Sequence, residues 1–168
     1  YAKNPYEIIF SNDIEDHVVK TYNYNFEKEA HCADIKSLDI DSLPKEIDIV
    51  IGGFPCQDFS NAGKRKGLES KRGRLYEQMA RIIQTLMPKA FVAENVDGLR
   101  TIGKNENTLK TIINDFSELG YNVEYNILNA ADYGVPQNRK RVIIIGIRKN
   151  IYKKIIFPAS EFFENGKN

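Results

Sequence analysis

Cys56 sits directly after Pro55 in the stretch Gly52-Gly53-Phe54-Pro55-Cys56-Gln57-Asp58-Phe59-Ser60, and the apolar run Ile47–Ile51 before it reads as a strand. A thiol at a strand-to-loop exit is presented to the crevice at the carboxyl end of an open α/β sheet, and proline fixes the local backbone so that the thiol has a defined direction. Cys56 therefore reads as a nucleophile. A free cysteine is more often an inert, buried small side chain, so the reading depends on its company. Glu94-Asn95-Val96 closes a second apolar strand, and Gln137-Asn138-Arg139-Lys140-Arg141 precedes a third. A carboxyl and two guanidinium forks thus stand at strand ends, where they can transfer a proton and hold developing charge. Residues 63–74 add Lys64, Arg65, Lys66, Lys71, Arg72 and Arg74 against the single acid Glu69, with Gly63, Gly67 and Gly73 breaking any helix. Such a loop reads either as a solvated surface segment or as a grip on phosphates.

These groups need elements to hold them. Glu7–Phe10 is a short strand candidate, and Ile14–Phe26 carries apolar residues near helical spacing. Asp48–Ile51 is a continuous apolar run, the pattern of a strand buried on both faces. Leu75, Met79, Ile82, Ile83 and Leu86 fall on one side of a helix that Pro88 stops. Ala90–Ala93 is the next strand and Leu109–Leu119 the next helix, with Gly120 suited to its C-terminal cap. Val123–Leu128 and Val142–Ile147 bracket a loop containing Asp132-Tyr133-Gly134-Val135-Pro136 and read as an antiparallel pair at the edge of a sheet. Alternating strands and helices predict an α/β domain, a Rossmann-like sheet with helices on both faces. The expected organisation is one catalytic unit over residues 1–150 and a thinning tail over 151–168.

The chain has 168 residues, 42% of them apolar, with nine Phe and nine Tyr, enough for a substantial core. Formal net charge is +1, so affinity for a polyanion must come from local patches. The two cysteines, Cys32 and Cys56, form no CxxC pair and no Cys/His set at ligand spacing, which argues against a zinc site or a disulfide framework and suits a reducing compartment. No apolar run approaches the roughly 20 residues needed to span a bilayer, so a cytoplasmic protein is expected. The chain opens on Tyr1 without an initiator Met, and is expected to be a segment of something longer.

In order and spacing, Gly52–Ser60, Glu94–Val96 and Gln137–Arg141 resemble three motifs of the DNA cytosine-5 methyltransferase family, bacterial restriction-modification type. The resemblance implies methyl transfer from S-adenosylmethionine to carbon 5 of cytosine in double-stranded DNA, with no metal. Cys56 would add to carbon 6, and Glu94 would serve the N3 and amine edge of the ring. Arg139 would support the active-site network and Arg141 would contact the target cytosine, without fixing which contributes more. A base in a duplex must be flipped out for such chemistry, and Lys64, Arg65, Lys66, Ser60 and Arg72 would bind DNA or close the loop over it.

Asp13 stands where an acid commonly holds nucleoside hydroxyls. By resemblance Asp34 accepts from the adenine amine, Ile14 and Ile35 flank the adenine, and Pro55 and Leu75 add cofactor contacts. The family often has a larger aromatic at the position of Ile14. The chain also departs from the pattern by lacking the first motif, Phe-x-Gly-x-Gly, the target recognition domain and the later motifs. A complementing chain or an upstream segment is expected to supply the missing strand. A transfer-RNA cytosine-5 methyltransferase and a non-catalytic subunit binding DNA or a partner are the competing readings.

Overall fold

The computed structural model describes residues 6–55, 75–100 and 108–160. The chain divides into two compact units, one ending at Glu46 and one starting at Ile47.

In the first unit, β1 (Asn12–Asp13) pairs in parallel with β2 (His31–Cys32), and helix α1 (Asp16–Asn25) connects them. Asp16 in the first turn complements the helix dipole and pairs with Lys20 at 2.6 Å, one turn on. The strand expected over Glu7–Phe10 does not form, and only Asn12 and Asp13 enter a ladder. β-branched sequence is not sufficient for a strand; a partner for its backbone groups is required, and among the described residues Glu7–Phe10 has none.

The second unit runs β3 (Ile49–Gly53), α2 (Leu75–Leu86), β4 (Ala90–Val96), α3 (Thr108–Glu118), β5 (Tyr121–Asn129) and β6 (Lys140–Arg148). The α/β expectation holds, and the sheet is mixed, in the order β3-β4-β6-β5. β3 and β4 are parallel, whereas β6 lies antiparallel between β4 and β5. The expected antiparallel pair is therefore β5 and β6, with β5 alone at the margin. Two turns send the chain back into the sheet. Met87 adopts φ 46° after α2, followed by a proline that cannot continue a helix, and Gly120 adopts φ 96° after α3.

Strand alternation decides the layers. Phe91 and Ala93 on β4, Val142 and Ile144 on β6 and Tyr121 on β5 share one face, packed under Tyr76, Met79 and Ile83 of α2 and Leu109, Ile112 and Phe116 of α3. Both described helices of this unit thus cover the same face. Tyr76 Oη donates to Asp115 Oδ2 at 2.9 Å, tying α2 to α3, and Tyr121 Oη donates to the Pro88 carbonyl at 2.7 Å. Ile49 and Ile51 project from the opposite face, and Ile51 is 77% exposed. The expectation that this run is buried on both faces is therefore corrected. β3 is an edge strand, since β4 is its only partner among the described residues.

Phe91 lies opposite Gly146 in the β4–β6 ladder, and its ring occupies the space that a side chain at 146 would need. A Cβ at that position would overlap Phe91 Cε1. The ring also meets Phe116 at 4.6 Å and Tyr121 at 5.3 Å between centroids, so it has no vacant direction to retreat. Gly146→Ala is expected to lower unfolding free energy by about 2–3 kcal/mol, near the upper end for overpacking. Phe91→Leu in the same background should recover part of the loss in urea denaturation. A midpoint unchanged by Gly146→Ala would refute this packing argument.

Candidate active site

Parallel β3 and β4 end on the same side of the sheet, and antiparallel β6 begins there. That topology alone brings three separate stretches to one place. Gly53, Phe54 and Pro55 leave β3, Glu94, Asn95 and Val96 close β4, and Arg139 and Arg141 lead into β6, lining an open recess of about 360 Å³. Of the residues singled out in the sequence, Pro55, Glu94, Arg139 and Arg141 are gathered here. Leu75 instead opens α2 and packs against the core. Cys56, Ser60, Lys64, Arg65, Lys66 and Arg72 lie outside the described residues, as does the tail beyond Ser160.

Glu94 and Arg141 meet across the recess, with Arg141 Nε 2.6 Å from Glu94 Oε1. The Nε–H is not aligned on that oxygen, so the contact is one of charge more than of a directed hydrogen bond. Arg141 Nη1 donates to the Lys140 carbonyl at 2.8 Å, which holds the guanidinium from its own backbone. Gly53 keeps the adjoining wall thin, since a Cβ there would stand 3.3 Å from Glu94 Oε2. Arg139 is fixed through its main chain. Its N–H donates to Asn129 Oδ1 at 2.9 Å, and its carbonyl accepts from Ala130 N–H at 3.0 Å. These bonds close the base of the 130–139 loop and carry the β5–β6 hairpin one step past its last paired strand residues.

Asn95, in the middle of Glu94-Asn95-Val96, carries a role that the sequence does not announce. It is 2% exposed, its Nδ2 donates to the Phe54 carbonyl at 2.8 Å, and its Oδ1 accepts from Val96 N–H at 2.8 Å. The ends of β3 and β4 are thus tied by a side chain. Asn129 was also missed. Asn95 stands beside a charged residue and Asn129 ends an apolar run, and nothing local says which carbonyl or N–H either amide meets.

In the first unit, Asp13 and Asp34 stand at the carboxyl ends of neighbouring parallel strands. Asp13 Oδ1 accepts from Glu15 N–H at 2.9 Å, and Asp34 Oδ1 accepts from Lys36 N–H at 3.0 Å, so each shapes its own turn. Asn12, another residue the sequence reading passed over, stitches the pair together. Its Nδ2 donates to the His31 and Ala33 carbonyls at 3.0 and 2.8 Å. Ile14, beside Asp13, is 60% exposed, while Ile35 lies in the turn after Asp34. The described residues hold no cluster of three or more metal-ligating side chains.

The fold has known counterparts. The structure superposes on a methyltransferase assigned to DNA modification in an E. coli prophage, with a TM-score of 0.70, 27% identity, and 89% of this chain and 42% of that one covered. A second, the S. pombe Dnmt2 methyltransferase, gives a TM-score of 0.70 at 22% identity over 90% of this chain and 46% of that one, a likeness of fold alone. In sequence, residues 1–167 match the model of the C-5 cytosine-specific DNA methylases, and the chain belongs to that family.

It is 46% identical over 144 residues to the Type II methyltransferase M1.ScrFI of Lactococcus lactis subsp. cremoris, spanning 85% of this chain and 36% of the relative. To the Type II methyltransferase M.FnuDI of Fusobacterium nucleatum it is 41% identical over 151 residues, spanning 90% and 43%. The chain thus spans less than half the length of these relatives.

Side-chain exposures of 22% for Arg141 and 43% for Glu94 leave the ion pair partly open to water. Screening should then hold its contribution to stability below about 1 kcal/mol. Glu94→Gln, Arg141→Gln and the double variant, compared by urea denaturation, are expected to give a coupling free energy under that bound. A coupling of roughly 3 kcal/mol or more, the range for a buried pair, would make the pair a structural strut and not a site held ready for a ligand.

Proposed function

We propose that this chain is the central part of the catalytic domain of a restriction-modification DNA cytosine-5 methyltransferase. In this reading a methyl group passes from S-adenosylmethionine to carbon 5 of cytosine in double-stranded DNA, through a covalent adduct on Cys56. The observation that carries the reading is the meeting of Glu94 and Arg141 in the recess beside the Phe54–Pro55 turn, with Cys56 the next residue in the chain. N3 and O2 of cytosine are attached to one ring carbon, so a carboxyl and a guanidinium that already touch are spaced to address both. Membership of the family and the Type II methyltransferase relatives support the same chemistry.

Carbon 5 of cytosine is a weak nucleophile. Addition of the Cys56 thiolate to carbon 6 makes an enamine with electron density at carbon 5. Glu94 would donate to N3 and accept from the exocyclic amine, and Arg141 would hold O2, each offsetting charge that grows as sulfur adds. Arg139, fixed at its backbone, would support that network. After methylation a solvent-derived base takes the proton from carbon 5, and the Cys56 thiolate leaves carbon 6 as the ring double bond re-forms. The base must be flipped from the duplex, at a cost of a few kcal/mol, to enter a recess of this kind. Ser60, Lys64, Arg65, Lys66 and Arg72 are proposed to grip the phosphates.

When bound, S-adenosylmethionine supplies an electrophilic methyl group on a sulfonium. The residues of the first unit suit its nucleoside end. Carboxylates of Asp13 and Asp34 at adjacent strand ends can accept from ribose hydroxyls and the adenine amine, and the exposed Ile14 side chain offers apolar surface to a ring face. Ile35, Pro55 and Leu75 are proposed as further contacts. Residues 1–150 would then be catalytic and 151–168 would lead towards a recognition domain, in a cytoplasmic protein acting on resident DNA.

The edge of β3 that is unpaired among the described residues supports a further element. Ala90 N–H donates to the Asp48 carbonyl, and the register from Ile49↔Ala90 to Gly53↔Glu94 turns the backbone groups of Ile49, Ile51 and Gly53 away from β4. A parallel strand supplied by the complete polypeptide or a complementing chain is proposed to pair there. Amide exchange checks this: the N–H groups of Ile49, Ile51 and Gly53 should be protected in the complete protein and exchange rapidly in the 168-residue chain alone. Rapid exchange in both would reject the added strand.

The catalytic reading is tested by incubating the complete protein with S-adenosylmethionine and duplex DNA containing 5-fluorocytosine. Fluorine at carbon 5 blocks the final elimination, so an adduct mapping to Cys56 and absent in Cys56→Ser is expected. Adduct formation with transfer RNA but not DNA would change the substrate, and none with either would defeat the reading.

A further inference from the structure

Asn95 is the one polar residue among the described residues that is buried with its side chain, at 2% exposed. A buried amide is costly unless its donors and acceptor are met. Here the side chain is oriented by two different partners: Nδ2 donates to the Phe54 carbonyl and Oδ1 accepts from Val96 N–H, both at 2.8 Å. The partners belong to different strand ends. The β3–β4 ladder closes at Gly53↔Glu94, and Pro55 has no N–H with which to extend it. Asn95 supplies the next rung from a side chain. Phe54 is anchored on its other side as well, its ring 6% exposed and 6.1 Å from that of Tyr76. Carbonyl and ring together leave the turn little freedom.

We propose that Asn95 is a positioning residue: its amide holds the Phe54–Pro55 turn to the end of β4, and so sets the point beside Glu94 and Arg141 from which the chain leaves Pro55. The proposal rests on the catalytic reading above for its consequence in methyl transfer, but its physical content is local. Glu94, on the preceding residue of β4, points into the recess while Asn95 points beneath it, as strand alternation requires. One strand end therefore carries the acid and the clamp that spaces the acid from the opposite wall. A carboxylate in place of the amide would set oxygen against the Phe54 carbonyl oxygen, removing the donor while keeping the size.

The test is Asn95→Asp in the complete protein, with two readouts. Iodoacetamide alkylation of Cys56 should change severalfold in rate and shift in pH profile, while Cys32, the other cysteine of this chain and a member of the first unit, serves as the unchanged internal reference. With DNA, kcat should fall on the order of 100-fold with KM nearly unchanged, as expected for a misplaced reacting group.

A folded Asn95→Asp with wild-type alkylation and kcat would overturn the proposal and leave Asn95 a packing residue. If Asn95→Asp does not fold, Asn95→Ser, a shorter donor, decides: intermediate alkylation is expected, and wild-type alkylation overturns it. Alkylation needs neither DNA nor methyl donor. Altered alkylation without any adduct to 5-fluorocytosine DNA would thus count against the catalytic reading and not against the clamp.

Discussion

The register of β4 is the constraint on which the second unit depends. Along Ala90–Val96 the side chains alternate, so Phe91, Ala93 and Asn95 turn inward while Glu94 turns to the recess. A slip of one residue would bury Glu94 under the helices and expel Phe91. What holds the register is shape as much as hydrogen bonding. Phe91 lies over Gly146 in a space that only glycine leaves, with Phe116 and Tyr121 closing around it. The aromatic contact sits three positions before Glu94, so the packing that stabilises the sheet also aims the acid.

From that register the site follows with little further specification. A parallel neighbour ending beside β4 and an antiparallel neighbour starting there are enough to gather a proline turn, a carboxyl and two guanidinium groups from stretches far apart in sequence. The polar clamps then remove the remaining freedom. Asn95 joins β3 to β4, and Asn129 joins the end of β5 to Arg139. Neither amide is placed to do chemistry; one holds the main chain of Phe54 and the other that of Arg139.

Much of this was legible in the sequence, for identifiable reasons. The apolar spacing Leu75, Met79, Ile83, Leu86 marks α2, and the helix runs over Leu75–Leu86 with Met79, Ile83 and Leu86 buried. Periodicity succeeds there because a helix makes its own backbone hydrogen bonds. Strands do not, and the two misreadings were both strands. Glu7–Phe10 joins no ladder among the described residues and stays irregular, while Ile49–Gly53 forms but stands, among those residues, at an edge with Ile51 exposed. An apolar run reads alike at the centre and the margin of a sheet, because burial belongs to the neighbours. That Glu94, Arg139 and Arg141 come together in the recess was legible from their position at strand ends. Asn95 was not, because its partner Phe54 lies 41 residues away.

The two margins of the sheet are treated differently, and the difference bears on what the domain is built to receive. Beyond β6 the chain turns back past the start of β5, where Lys153, Lys154 and Ile155 lie near Tyr121–Glu124, with Ile155 buried. It continues to the far end of β5, where the Tyr133 hydroxyl donates to the Pro158 carbonyl at 3.1 Å. The β5 side is thus accompanied by the protein's own chain. The β3 side, among the described residues, keeps outward backbone groups and a 77% exposed Ile51. An exposed, apolar strand edge invites pairing with another strand, and proteins ordinarily blunt it with charge, proline or a bulge. Within Ile49–Gly53 none of these devices appears. The same strand ends at the Phe54–Pro55 wall of the recess, so a strand added there would extend the sheet beside the site and stiffen the wall that Asn95 holds from the other side.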